Sequence, residues 1–252
     1  MKQLFLLPIL FLGSCSPEQK QKPVPESAAE VVYTKVDSST AGVISGTVLF
    51  KGKTPLRTKV DMEEDPQCAK LHKQPVFQDA IAVNNTGKLG NVFVYIKHGL
   101  EGKRFQSSAV PVTMVQKDCG FEPRVLGLQI GQGYQVINSD PVTHNIHPRP
   151  KKNREWNQSQ AAGAEPLLRR FSQPEVMIRV KCNVHSWMKA WVGVVESPYF
   201  AVTAADGSFE LKNVPPGKYT IEAWQEELGT QEQELIVEPS GKPTLLFTFK
   251  GD

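Results

Sequence analysis

From residue 42 to the C-terminus, short runs of alternating apolar and polar residues are cut off every few positions by glycine, proline or an Asp-Gly pair. A period of two places successive side chains on opposite faces of a strand, and the punctuation leaves no room for a long amphipathic helix. With 19 glycines and 19 prolines among 252 residues, the fold class is all-β. Residues 201–211 alternate around Asp206-Gly207, a hairpin signal. Residues 214–224 run from Pro215-Pro216-Gly217 into an alternating strand ending at Trp224. Residues 231–238 and 244–249 read as two further strands. Early in the chain, residues 43–50 and 91–97 have the same character.

A second pattern carries chemistry. Cys182, His185 and Met188 stand within seven residues, and His144 lies upstream in the run Val142-Thr143-His144-Asn145. One thiol, two imidazoles and one thioether form the donor set of a mononuclear blue-copper site, where thiolate and imidazole bind strongly and a thioether weakly. The spacing puts three donors on one tight loop and takes the fourth from a separate strand end. Zinc also accepts Cys and His, but structural zinc sites favour closed sets richer in thiolate. Asn145 follows His144 directly, and its backbone N–H is placed to reach the Cys182 sulfur, an outer contact that tunes a metal. His147 is the nearest decoy; it, His72 and His98 are read as non-ligands.

Residues 112–196 resemble a cupredoxin of the plastocyanin and amicyanin type. The likeness rests on residues 121–133 (strand, Gly turn, strand), on His144-Asn145-Ile146-His147, on the strand 176–182 that delivers the thiolate, and on the closing strand 190–196. Asn183 and Ser186 depart from the prolines of the amicyanin loop. The resemblance implies a Greek-key barrel or sandwich, one type 1 copper ion and single-electron transfer. Residues 198–252 resemble the carboxypeptidase regulatory-like, transthyretin-like β-sandwich, whose entering Gly-x-Val strand is absent there but present at residues 43–50. The expected organisation is therefore discontinuous: 42–105 and 198–252 form one sandwich, and the copper domain, 106–197, is inserted between them. Three consecutive units are the simpler alternative.

The N-terminus reads as an export signal. Lys2 precedes an apolar run, Leu4 to Leu12, too short to span a bilayer. Leu12-Gly13-Ser14-Cys15 resembles a bacterial lipobox, so 1–14 would be removed and Cys15 lipidated. Ser16 favours the outer membrane, facing the periplasm or the cell surface. Residues 15–41, rich in Ser, Pro, Glu, Gln and Lys, would be a tether reaching roughly 25–30 Å. Of 4 cysteines, Cys15 and Cys182 are thus assigned, leaving Cys68 and Cys119. In an exported protein a disulfide is expected, with a second metal site using Cys68 and His72 as the alternative. A short helix is expected over 65–72.

A long loop is expected over 148–168, beginning with Arg149, Lys151, Lys152 and Arg154. It is either a solvated connection or, in the functional reading, a docking face for an acidic redox partner such as a cytochrome or dehydrogenase. Trp187 would help form an apolar patch around the His185 ring edge, taken as the port for electrons. A net charge of +3 is too weak to suggest nucleic acid. No catalytic triad, phosphate loop or paired-carboxylate motif is present, so no enzyme is expected. The reading is a membrane-tethered electron carrier; the alternatives are a copper-storage module and a surface carbohydrate or adhesion module.

Overall fold

The structure, a computed structural model, describes residues 31–251. Cys15, the signal segment and the tether up to residue 30 lie outside the described residues. The strands are β1 (Gly42–Lys51), β2 (Ala82–Val83), β3 (Leu89–Gly90), β4 (Phe93–His98), β5 (Val112–Lys117), β6 (Gly120–Glu122), β7 (Val125–Gln129), β8 (Tyr134–Asn138) and β9 (His144–Arg149). They continue with β10 (Gln158–Gln160), β11 (Leu167–Arg169), β12 (Glu175–Lys181), β13 (Lys189–Val195), β14 (Phe200–Val202), β15 (Ser208–Val214), β16 (Gly217–Gln225), β17 (Gly229–Val237) and β18 (Thr244–Lys250). One short helix, α1 (Pro66–Lys70), interrupts them.

The first and last described strands share their sheets. β1 lies between β15 and β18, pairing in parallel with β18 from Ser45↔Thr244 to Lys51↔Lys250. β4 lies between β14 and β16, and β17 completes that sheet. Alternating burial along β1 turns Ile44, Val48 and Phe50 inward against Tyr219, Phe247 and Phe249. Parallel neighbours need a long crossover, and here the crossover holds the whole middle of the chain.

That middle forms a second pair of sheets, ordered β10-β9-β12-β13-β7 and β11-β8-β5-β6. Met114, Leu128, Tyr134, Ile146, Phe171, Ile178 and Val192 fill the space between them. The two sandwiches meet where Phe93, Phe200 and Trp224 pack against Val125, Met177 and Trp191. Gly127 and Gly193 stand opposite each other in the β7–β13 register; a Cβ on either would come within 2.7 Å of the Phe93 ring, so the contact requires both glycines. Arg124 pairs with Glu226 beside it, and the Trp191 indole N–H donates to the same carboxylate.

Three sequence expectations change. Residues 34–41 are not free tether, since the Thr34 N–H donates to the Arg104 carbonyl and Asp37 organises a turn. The expected loop 148–168 contains β10 and part of β11, because its polar Gln158 and Ser159 satisfy backbone bonds on the edge of β9. The helix expected over 65–72 is shorter: Asp65 is its N-cap, with Oδ1 accepting the N–H groups of Gln67 and Cys68.

α1 belongs to the segment between β1 and β2, yet it folds over the end of the middle sandwich. Its buried Cys68 is disulfide-bonded to Cys119, with Cα atoms 5.7 Å apart. Met62, Val142 and the flank of Trp187 pack around the bridge. The bond closes 51 residues. Replacing both cysteines with alanine is expected to cost about 4 kcal/mol on chain-entropy grounds, read by chemical denaturation. Alkylation of the unfolded protein without reductant should leave both residues unmodified.

Candidate metal centre

β9 and β12 run antiparallel, with Val180 opposite Pro148 and Lys181 opposite His147. The chain leaving β12 therefore runs back alongside Asn145 and His144. Cys182 follows at once, and the loop 182–188 returns into β13 through two bonds: Met188 N–H to the His185 carbonyl and Cys182 N–H to the Met188 carbonyl. Asn145 fastens the loop again, its Oδ1 accepting the Asn183 N–H at 3.1 Å.

His144, Cys182 and His185 converge, their donor atoms all within 4.8 Å of one another. The thiol sulfur lies 3.7 Å from His185 Nδ1 and accepts the backbone N–H groups of Asn145 at 3.3 Å and His185 at 3.4 Å. Met188 is buried in the same cluster. The exposures of His144, Cys182, His185 and Met188 are 0, 3, 1 and 1%.

Two carboxylates that sequence reasoning missed complete the arrangement. Asp140 Oδ2 lies 2.7 Å from His144 Nε2, and Asp65 Oδ2 lies 2.9 Å from His185 Nε2. An ionised carboxylate only accepts, so each Nε2 donates to its carboxylate, the tautomer that leaves Nδ1 as the metal-binding atom. Those two Nδ1 atoms face each other at 3.0 Å. Burial holds the His144 pKa below the usual imidazole value, against the opposing pull of Asp140. The His185 hydrogen bond, helped by the Cys68 N–H, holds Asp65 below the usual carboxylate range. The two Nδ1 atoms and the thiol sulfur thus converge among buried side chains, an arrangement suited to a bound cation. Asp140 also accepts the N–H groups of Asp118 and Cys119, joining His144 to the β5–β6 turn that carries the disulfide. Asp140, four residues before His144, had a readable signal; Asp65 had none.

The structure corrects the expected electron port. The His185 edge is not at the surface: Asp65 covers Nε2, and the Cys68 sulfur lies 3.5 Å from the same atom. Trp187 does not flank an open edge either. It is half-buried, its ring centroid is 5.1 Å from that of His185, and its indole N–H donates to the Cys119 carbonyl. The segment 57–80, from the other sandwich, occupies the position expected to be open.

The expected docking loop is also displaced. The Lys151, Lys152 and Asn153 N–H groups wrap the buried Glu175 carboxylate. Burial works against that charge, but these donors outweigh it and hold the group below the usual range. Glu175 starts β12 and Cys182 follows its end, so this anchor sits roughly 20 Å along the strand from the thiol. Lys151 and Lys152 are exposed there, as is Arg154, whereas Arg149 remains on β9 and pairs with Glu155. His147 turns to the opposite face of β9, bonded to Asn183 and Glu155. The alternative of Cys68 with His72 fails, because Cys68 is in the disulfide and His72 Nε2 bonds the Asp118 carbonyl. His98 is paired with Glu101.

A family of domains described as polysaccharide lyase family 4, domain II, matches residues 174–245, from β12 into β18. Solved structures similar to this one include a copper-containing nitrite reductase from Thermus scotoductus SA-01, at 21% identity and a TM-score of 0.32, covering 36% of this chain and 26% of that chain. The chain thus spans about a quarter of the reductase. A purple cupredoxin from Nitrosopumilus maritimus is similar at 17% identity and a TM-score of 0.29, covering 33% of this chain and 98% of that one. A copper(I) form of an amicyanin variant is similar at 16% identity and 0.30, covering 40% and 97%. No curated protein matches the sequence.

Asp65→Asn and Asp140→Asn replace an acceptor of full charge by a weaker one of the same shape. Each is expected to weaken binding of a divalent ion by about 10–100-fold, measured by competition with a chelator. Asn also caps α1 well, so the first variant should fold normally.

Proposed function

We propose that the chain is a cupredoxin-type electron carrier, holding one copper ion in a mononuclear type 1 centre between His144, Cys182, His185 and Met188. The observation that carries this reading is the pair of Nδ1 atoms 3.0 Å apart beside the Cys182 sulfur, with both Nε2 atoms committed to carboxylates. The donors fit copper: a thiolate for the cuprous state, two neutral imidazoles for either state, and a buried thioether as the weak fourth partner. Copper bound there would take up and release one electron at a time. The residues of this chain do the rest. Asn145 and His185 donate N–H groups to the sulfur, which tempers its basicity. Asp65 and Asp140 fix the tautomer and direction of both rings. The disulfide cap and the surrounding apolar side chains exclude water.

The proposal extends to location and partners. Cys15 would anchor the exported chain to a membrane by lipid, and the partner would be a protein such as a cytochrome or dehydrogenase. The match at residues 174–245 favours a second reading, in which the terminal sandwich serves carbohydrate binding or adhesion and the centre is vestigial.

Copper added to the purified protein should give an intense visible thiolate band and a reversible one-electron couple. Colour without a reversible couple would leave storage or a vestigial centre as the better account. Cys182→Ser should abolish the band. Met188→Leu should keep it and raise the reduction potential, since loss of a thioether disfavours the cupric state. His147→Ala should leave copper bound; loss of metal there would assign the ligand role to the wrong histidine.

A further inference from the structure

We propose that an acidic protein docks on the outer face of the β9–β12–β13 sheet, against Arg149, Arg179, Lys181 and Lys189, with Val184 as an apolar contact at its loop end. This deepens the electron-carrier reading by naming the surface through which the carrier would meet its partner.

The register shows a ladder of like charges. Arg179 lies directly opposite Arg149, and Lys181 directly opposite Lys189. Their neighbours Ile178, Val180 and Ala190 point inward and are buried, so all four cations share the outward face. Like charges directly opposite each other destabilise a sheet. Here two such pairs are adjacent on three consecutive strands. One carboxylate, Glu155, stands against these four cations: it pairs with Arg149 at 3.3 Å, bonds His147 and feels the charge of Lys181. Among the described residues, Arg179, Lys181 and Lys189 form no salt bridge. A partner bringing carboxylates to this face would relieve a repulsion that the fold itself leaves standing.

The same face adjoins the most exposed part of the ligand loop, where Asn183 bonds His147 on β9. All four proposed ligands are buried, and the outer nitrogen of His185 is under Asp65. Asn183, Val184 and Ser186 are exposed. Val184 is 59% exposed, apolar, and two residues from the thiolate. An exposed apolar side chain beside a cationic face offers a protein partner both the apolar and the charged contacts that interfaces use.

The test uses the full chain in zwitterionic detergent. On the metal-free protein, a polyglutamate peptide is titrated and followed by amide NMR. Shifts should gather at Val184 and the four ladder positions and fade with added salt. Replacing Arg179, Lys181 and Lys189 by glutamine should weaken binding about tenfold or more, while replacing Lys151 and Lys152 should not. Equal loss in the two variants, or shifts centred elsewhere, would overturn the proposal. Vesicles of anionic lipid provide the third arm: ladder shifts with vesicles and none with polyglutamate would make this a membrane-facing surface instead. On the copper-loaded protein, hexacyanoferrate(II) gives one electron to the cupric centre and becomes hexacyanoferrate(III). That reduction should slow about tenfold in the ladder variant at low ionic strength, and a cationic reductant, hexaammineruthenium(II), should not slow. Unchanged hexacyanoferrate kinetics would overturn the role of this face in electron entry. A chain that binds no copper would sink the electron-carrier reading, while the peptide titration would still report on the surface.

Discussion

The parallel pairing of β1 with β18 is the constraint on which the remaining structure depends. A strand that begins the described core is completed by the strand that ends it, so everything between must leave the terminal sandwich and come back. The middle sandwich satisfies this by starting and finishing beside β4, where Gly127 and Gly193 admit the rings of Phe93 and Phe200. Their contact also fixes where segment 57–80 falls. Leaving β1 and returning to β2, it reaches across to the ligand loop and is held there by the Cys68–Cys119 bond.

This reach changes the character of the metal centre. A centre built by the middle sandwich alone would leave the His185 edge to solvent. Here the terminal sandwich contributes Asp65, which orders that ring, and a disulfide, which covers it. Asp140 does the same for His144 from within the middle sandwich and is tied by Cys119 N–H to the same bridge. A carboxylate accepting from each imidazole N–H increases the donor strength of the ring and favours the more highly charged state of a bound metal. The two sandwiches are thus parts of one centre, and the disulfide connects the carboxylate of each to the other.

Closure on one side directs attention to the other. With the histidine edge sealed, the exposed part of the loop is Asn183 to Ser186, excluding His185, and beside it the outer face of β9, β12 and β13 carries paired cations that stability alone would not select. The loop after β9, whose lysines looked suited to docking, serves instead to satisfy a buried carboxylate at the far end of β12.

Much of this was legible in the sequence because it depends on neighbours along the chain. Alternation and Gly-Pro punctuation determined an all-β protein, since each strand's faces are set by its own period. Cys182, His185 and Met188 could be read as one loop because three residues within seven positions must share a turn, and the Asn145 contact to the sulfur follows from its place beside His144. The cysteine count pointed to Cys68 with Cys119 by subtraction. The burial of His185 was not legible. It depends on Asp65, 120 residues away, whose local role is only to cap a five-residue helix. The like-charge ladder was hidden as well, because Arg149, Arg179, Lys181 and Lys189 stand together only in the register of three strands. Local spacing records what one strand or turn can hold. Which distant segments cover or charge a site is decided when the sheets close, and that closure leaves no period in the sequence to read.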